Sequence, residues 1–221
     1  CPAAAQFASY AAAIMDDNVL LKRTDATRRE SVRRLRELYS LDRSLVLFRA
    51  LRDLWDSDPP ARPMLALLCA VARDPLLRAS ASVILASQPG TTVDAAIIAE
   101  FIGRQYPGRF NPTSRASIGR HAASSWTQSG HLQGRSNKVR VTAQSGPTSV
   151  AYALLLGYLC GSRGEALFST PWAQLLDALS ATLHEQAFLA AQRGWLEYRH
   201  AGAVTQIGFS YLLRKEPGRD E

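Results

Sequence analysis

The chain has 221 residues, 47% of them hydrophobic and 20% charged, a composition that is typical of a folded globular protein and excludes a disordered chain. Its longest apolar runs, Met64–Ala72 and Val150–Cys160, are shorter than the about 20 residues of a membrane-spanning helix, so no membrane partner is expected. The formal net charge is +7, and the three cysteines are too few and too widely spaced for a disulfide framework, which predicts a reducing, cytoplasmic setting.

The first 90 residues are predicted to form an N-terminal helical bundle. Its helices cover Pro2–Met15, a segment ending at Tyr39, Leu41–Asp56, Met64–Ala72 and a segment that begins at Asp74-Pro75. Thr24 or Asp25 can cap the second helix. The fourth helix is apolar on nearly all sides, as expected for the buried centre of a bundle. Gln88-Pro89-Gly90 predicts a turn, and we place a domain boundary there.

The second of these helices carries a strip of basic residues. From Lys22 to Arg36 there are seven Lys or Arg residues against two acidic ones. Arg28, Arg29 and Arg33 are therefore candidates for auxiliary contacts to phosphates. The alternative is a solvated face of an amphipathic helix, because charges on such helices usually face water.

The segment from residue 91 to 146 begins with two predicted helices. Thr92 can cap the first, over Val93–Arg104. A Tyr-Pro-Gly turn follows, and Asn111 or Thr113 can start the second helix, which runs to about Gln128.

A short β-hairpin is predicted directly after this second helix. Ser129-Gly130 ends the helix, and Gly134–Asn137 forms a polar tip. Lys138–Thr142 alternates basic with β-branched residues, as a half-buried strand does. Helix, turn, helix and hairpin in this order describe a winged helix-turn-helix. In that module a helix enters the major groove of DNA and the hairpin, or wing, lies along the backbone or minor groove.

The second helix is expected to present one face to DNA. On its helical wheel, Ile118, Ala122 and Trp126 share the core-facing side. The opposite side is small and polar and has no carboxylate: Thr113, Ala116, Ser117, Arg120, His121, Ser124 and Thr127. Small residues allow close approach to a groove, and hydroxyl and guanidinium groups can bond to phosphates or base edges. The alternative is that this Ser/Ala face packs against another helix.

The distribution of charge favours the same segment. Glu100 and Glu165 enclose 64 residues that contain eight Lys or Arg and no Asp or Glu, whereas the other 18 basic residues are balanced by 19 acidic ones. Such a one-signed segment attracts polyanions. A basic face without a ligand is the alternative. The predicted contacts are Arg115, Ser117, Arg120, His121 and Ser124 in the groove, and Arg135, Lys138 and Arg140 on the wing.

Residues 147–221 are predicted to add C-terminal helices and a closing hairpin. An apolar helix spans Ser149–Cys160, and Thr170-Pro171 starts a helical pattern that continues to Leu189. Strands on either side of Ala201-Gly202 form a hairpin, which is either a second, degenerate winged unit or a packing element. The charged tail after Leu213 is expected to fray.

No enzyme class is supported by the motifs. The four histidines show no HExxH or CxxC partner, and neither a phosphate-binding loop nor a G-x-S-x-G elbow occurs. The basic segment offers no paired carboxylates. We therefore predict a protein that is not an enzyme and has no metal and no cofactor.

Several stretches of the chain resemble the BrxA family of bacterial BREX phage-defence clusters. They are Asn18-Val19-Leu20, the Arg-rich helix before Leu41, Leu65–Leu68, Arg73–Arg78, Trp126 with Gly130-His131-Leu132, and Arg193–Tyr198. The likeness covers roughly residues 7–213. It implies a small, mostly helical protein that binds double-stranded DNA through a winged helix-turn-helix, without a catalytic centre, in the bacterial cytoplasm. It also implies other proteins of the defence system as partners.

The sequence therefore predicts a mainly α, non-catalytic protein that binds double-stranded DNA. Two other functions stay open. One is an RNA-binding helical protein, and the other is a scaffold subunit whose basic face docks an acidic protein.

Overall fold

The structure is a computed structural model that describes residues 1–2, 5–202 and 204–214. Within them the chain is mainly helical with two small antiparallel hairpins, which confirms the predicted class. The α-helices are α1 (Phe7–Met15), α2 (Asp25–Tyr39), α3 (Val46–Trp55), α4 (Arg62–Arg73), α5 (Pro75–Ala86), α6 (Ala95–Gln105), α7 (Pro112–Gln128), α8 (Pro147–Leu159), α9 (Pro171–Gln174), α10 (Ser180–Gln192) and α11 (Ser210–Leu213). The 3-10 helices are Pro59–Ala61 and Gly164–Ser169, and the strands are β1 (Leu132–Gln133), β2 (Val139–Arg140), β3 (Glu197–Ala201) and β4 (Val204–Gly208). None of the helices in these ranges combines the length and apolarity needed to traverse a bilayer.

Helix α8 lies at the centre of the fold. Every residue from Thr148 to Gly157 is buried, and the helix contacts α3, α4, α9 and α10. The hydroxyl group of Tyr152, inside this core, donates a hydrogen bond of 2.9 Å to the Leu47 carbonyl. Helix α4, which the sequence predicted to be the buried centre of the N-terminal bundle, is buried at seven positions and packs on α8.

The N-terminal helices follow the prediction with shifted starts. The Thr24 side chain caps α2 by accepting a 3.3 Å hydrogen bond from the Thr27 amide, as expected. Helix α1 begins at Phe7 instead of Pro2. Helix α3 begins at Val46 instead of Leu41. Ser40 and Leu41 have φ angles of 70° and 56°, which are incompatible with a right-handed helix.

Packing crosses the boundary that was placed at residue 90. Helix α5 contacts α4, which precedes it in the same predicted bundle, and also α6 and α7. The indole nitrogen of Trp126 in α7 donates a buried hydrogen bond of 2.8 Å to the Ser80 hydroxyl in α5. Buried residues from Leu41 to Leu212 belong to one contiguous core. Helix α6, the first helix of the predicted second domain, thus packs on α5, which precedes the boundary.

The C-terminal part differs from prediction at one point. The helical pattern expected from Pro171 to Leu189 is interrupted after α9, which is a single turn, and resumes at Ser180. Asp177 lies in the interruption with a φ of 56°. The closing hairpin was predicted correctly, and its strands pair from Glu197 with Gly208 to Ala201 with Val204. The tail predicted to fray lies outside the described residues from position 215 onward.

Candidate nucleic-acid interface

Helices α5, α6 and α7 pack together beside a small sheet that includes the predicted wing. In this sheet β1 pairs with β2, so that Leu132 lies opposite Arg140. The chain before α6 adds a third extended segment, because the Gly90 and Val93 amides donate to the carbonyls of Arg140 and Lys138 at 2.8 and 2.9 Å. The wing is therefore anchored on both sides of β2.

The predicted cap of α6 was wrong. Thr92 takes part in the small sheet through a bridge to Val139. The Asp94 side chain caps the helix instead, by accepting hydrogen bonds from the Ala96 and Ile97 amides at 2.9 and 3.0 Å. A carboxylate at this position also favours the positive end of the helix dipole. The helix begins at Ala95 for this reason.

Helix α7 has the boundaries that its sequence predicted. The Asn111 side chain accepts a 2.8 Å hydrogen bond from the Ser114 amide, and Pro112 occupies the first helical position. Gly130 follows the helix with a φ of 84°, a backbone conformation that suits glycine.

Helices α6 and α7 approach each other closely at Gly119. A Cβ atom at this residue would overlap the carbonyl oxygen of Ala95 and lie 2.9 Å from the Cβ of Ala99. The small residues of α6 and α7 thus serve the contact between these two helices on one side of α7. The other side is left for solvent.

The exposed face of α7 agrees with the helical wheel at most positions. Ala122 and Trp126 are buried and Ile118 is half-buried, whereas the solvent-facing residues are Thr113, Ala116, Arg120, His121, Ser124 and Gln128. Ser117 is half-buried at the edge of this face. Thr127, predicted to be on the face, is half-buried because its hydroxyl group bonds within the protein.

Arg115 and Arg120 line a groove between α7 and α6. Arg120 is exposed, while Arg115 is half-buried with its guanidinium group over Gly103. Glu100 of α6 lines the same groove and forms an exposed ion pair of 3.2 Å with Arg104. The absence of carboxylates thus applies to α7 itself and not to the whole surface around it.

A lysine holds the wing against α7. The Nζ of Lys138 donates to the Thr127 hydroxyl group at 2.8 Å and to the Gly134 carbonyl at 3.2 Å. The tip of the hairpin, with Arg135, is exposed. Arg135 is therefore exposed at the tip of a hairpin whose base bonds to the C-terminal half of α7. Lys138 differs from Arg135 because its charged group already has hydrogen-bond partners within the protein.

Arg140 was predicted to be a wing contact, and the structure contradicts this. Its side chain is 3% exposed and forms two hydrogen bonds to Asp177, of 2.7 and 2.8 Å. It also donates to the carbonyl of Ile84 at 2.9 Å and to the carbonyl of Val141. The alternating pattern correctly indicated a half-buried strand, but Arg140 lies on the buried side, where an acidic partner compensates its charge.

The carboxylate that pairs with Arg140 was not identified from the sequence. Burial favours the neutral form of Asp177, but hydrogen bonds from Arg140 and the Ala143 amide, with the Arg140 charge, outweigh it and hold its pKa below the ordinary value. The two residues are 37 positions apart. No local pattern could connect them.

His131 is a second buried polar residue at the base of the wing. It is 0% exposed, its Nδ1 lies 2.8 Å from the Ser129 hydroxyl group, and its Nε2 lies 2.9 Å from the Leu175 carbonyl. Burial lowers the pKa of His131 to about 4, so the imidazole is neutral and Nε2 donates to the carbonyl. It fixes the end of α7 to the C-terminal part of the chain.

Of the eight basic residues of the acid-free segment, one is buried and two others lie over aromatic rings. Arg140 is buried, Arg163 lies over the ring of Tyr158 beyond the end of α8, and Arg109 lies over Tyr106 and Phe110. Arg120 and Arg135 are the exposed basic residues of α7 and the wing tip. The predicted interface thus has fewer available charges than the sequence suggested.

The basic strip on α2 has internal partners for two of its three candidates. Arg33 pairs with Glu30 and Glu37 at 2.6 and 2.7 Å on the helix surface. Arg28 is half-buried and donates to the Met15 carbonyl at 2.9 Å. Arg29 is exposed beside the groove between α1 and α2. The strip is in large part a network of exposed ion pairs, as the alternative interpretation stated.

Comparisons with protein-family models, with curated proteins and with solved structures gave no match for this chain. The resemblance to the BrxA family stays a prediction.

Proposed function

We propose that this protein is a non-catalytic, double-stranded DNA-binding protein of the cytoplasm that uses a winged helix-turn-helix. Helix α7 occupies the major groove, and the β1–β2 hairpin contacts the neighbouring backbone or minor groove. As part of the same proposal the chain is a BrxA-type protein, with other proteins of a BREX defence system as further partners.

One observation carries the proposal. Helix α7 has an exposed face of small and polar residues that includes Arg120 and contains no carboxylate, and Lys138 fastens a hairpin with an exposed Arg135 beside it. Short side chains permit the backbone of a helix to approach base edges, while arginine can bond to a phosphate or, in bidentate fashion, to guanine. The order of α5, α6, α7 and hairpin supports the same module.

The corrected positions redefine the site. Arg120, His121 and Ser124 are the groove-facing candidates, with Arg115 and Ser117 at the edge. Arg135 is the wing contact, and Lys138 holds the wing against α7 while adding its charge beside it. Arg140 serves to hold the wing in place, and of the auxiliary contacts only Arg29 is retained.

The test is a fluorescence anisotropy titration of labelled duplex DNA at several salt concentrations. If about four phosphates are contacted, by Arg29, Arg115, Arg120 and Arg135, affinity falls by about 10²-fold between about 50 and 200 mM salt. The Arg120→Ala/Arg135→Ala variant removes two of these contacts, so the slope of log affinity against log salt decreases by about 1.8.

The matched control is Arg193→Ala/Arg199→Ala, which removes two exposed charges from the C-terminal part. It has the same net charge as the test variant and binds almost as tightly as the parent if local contacts decide the affinity. Equal loss in both variants would show that only net charge matters, and an affinity independent of salt would refute the interface.

Competition separates the other two functions. Duplex RNA or single strands that displace the labelled duplex at equal concentration would favour an RNA-binding protein. No shift with any nucleic acid, together with a salt-sensitive complex with an acidic protein, would favour the scaffold function.

A further inference from the structure

Three potential metal ligands meet at the C-terminal hairpin, away from α7. Glu165 lies in the 3-10 helix Gly164–Ser169, His184 in α10 and His200 in β3. One oxygen of Glu165 and one ring nitrogen of each histidine lie within 4.8 Å of one another. We propose that these three side chains bind one divalent transition-metal ion, Zn²⁺ by preference.

The separations are suited to such an ion. The Nε2 of His184 is 3.0 Å from the Oε1 of Glu165, and the rings of His184 and His200 have centroids 5.0 Å apart. Zinc bonds of about 2.0–2.1 Å in tetrahedral geometry place ligand atoms roughly 3.3 Å from each other. Because the three ligand atoms lie within 4.8 Å of one another, no pair has to approach by more than about 1.5 Å to bind one ion.

The hydrogen bonds around His200 leave one of its nitrogens available to the metal. The Thr205 hydroxyl group has a single hydrogen, which it donates to the Oε2 of Glu165 at 2.5 Å. The Nδ1 of His200, 2.8 Å from the same hydroxyl oxygen, must then be the donor. In the neutral ring the lone pair is consequently on Nε2, which is the form that binds a metal.

His184 is oriented in a corresponding way. Its Nδ1 lies 2.8 Å from the Tyr198 hydroxyl group, and its ring stacks on Phe168 at a centroid distance of 3.8 Å. Without a metal ion the Nε2 of His184 carries the proton and donates to the Glu165 carboxylate, while Nδ1 accepts from the Tyr198 hydroxyl group. A metal ion replaces the hydrogen bond between Nε2 and Glu165, and the ring proton is then on Nδ1, which donates to Tyr198. Partners of this kind on the second ring nitrogen are a general feature of histidine ligands.

The ligand types select the ion. Two imidazole nitrogens and one carboxylate oxygen form a set that zinc uses with a water molecule as the fourth ligand. Glu165 and His200 are exposed, so water has access. The ion links the 3-10 helix and α10 to the closing hairpin. No metal was predicted from the sequence, because the ligands are 19 and 16 positions apart and lie on three different elements.

The experiment is isothermal titration of the metal-stripped, tag-free full chain with Zn²⁺, in a Cys1→Ser/Cys160→Ser background that removes the two exposed thiols. The parent is expected to bind one ion per chain. Glu165→Gln and His184→Gln each weaken binding by more than tenfold, while Glu185→Gln, which changes an exposed carboxylate of α10 outside the cluster, leaves it unchanged.

Thr205 is tested as a positioning residue. Thr205→Val removes the hydroxyl group and weakens zinc binding by about 10- to 100-fold, whereas Thr205→Ser retains it and restores the affinity. Circular dichroism in EDTA verifies that each variant is folded. Absence of one-to-one zinc binding in the parent, or equal binding by the His184→Gln/His200→Gln variant, would overturn the proposal. Neither result bears on DNA binding by α7.

Discussion

Two arginines of the same hairpin are expected to respond in opposite ways to replacement by alanine. Arg140 is 3% exposed and bonds to Asp177 and to the Ile84 carbonyl, whereas Arg135 is exposed at the tip. Arg140→Ala leaves a carboxylate without its cation in a mostly buried place. Arg135→Ala removes a solvated charge. The first change should affect folding and the second DNA binding.

The magnitude follows from the burial of the pair. Removing one partner of a buried ion pair costs about 3–5 kcal/mol, because the other charge is left uncompensated. The Asp177 side chain is 17% exposed, which lets water reach part of it and favours the lower end, about 3 kcal/mol. In a protein of this size that corresponds to a decrease of about 6–12 °C in Tm. Arg135→Ala should change stability by less than about 0.5 kcal/mol.

Urea denaturation followed by circular dichroism measures both free energies of unfolding. The Asp177→Ala and double variants complete a cycle, in which the double variant should be more stable than the sum of the single losses implies, by about 1–3 kcal/mol. An Arg140→Ala protein as stable as Arg135→Ala would refute the assignment of Arg140 to the interior. Arg140 would then again be a candidate for a wing contact to DNA.

Three further changes test the packing beneath the interface. Because His131 is neutral in the fold with a pKa of about 4, its contribution to stability is complete above about pH 6.5 and decreases by about 1.4 kcal/mol per pH unit down to about pH 4. The free energy of unfolding of His131→Gln should therefore depend less steeply on pH over this range. An unchanged slope would contradict the prediction. Gly119→Ala should lower the free energy of unfolding by at least about 1–3 kcal/mol, since its Cβ overlaps the Ala95 carbonyl; a neutral effect in thermal denaturation would mean that α6 and α7 can separate. Ser80→Ala should cost about 1–3 kcal/mol by leaving the buried Trp126 indole N–H without its acceptor, and an unchanged unfolding midpoint would show that another acceptor replaces it.

Elements specified by nearby residues were predictable from the sequence. Helix α7 has its cap, its first proline and its terminating glycine within its own sequence, so both ends were placed correctly. Helix α2 follows its Thr24 cap in the same way. The start of α6 was misplaced because Thr92 and Asp94 are both acceptable caps. The choice between them was made by the sheet, through the bridge from Thr92 to Val139.

Features that depend on distant contacts could not be inferred. A period-two pattern in β2 shows that alternate residues are buried, but not which side faces the core. Arg140 is on the buried side because Asp177, in a later segment, lies opposite it. The Glu165, His184 and His200 cluster is of the same kind, since three separate elements bring it together. The exposed face of α7 could be predicted from the sequence, because the helical repeat alone decides which residues share a face.

The connection from the base of the wing to the segment between α9 and α10 has a consequence for any attempt to transplant the unit. A fragment limited to residues 75–146 would lack both Asp177 and the Leu175 carbonyl, so Arg140 would lose its acidic partner and His131 would lose the acceptor of its Nε2. Grafted onto another protein, this stretch would keep the hydrogen bonds of Lys138 and of the chain before α6, but it would lose those that hold the base of its hairpin to the segment between α9 and α10. The helix–hairpin unit and the last third of the chain should therefore be kept together in any recombination or engineered fusion.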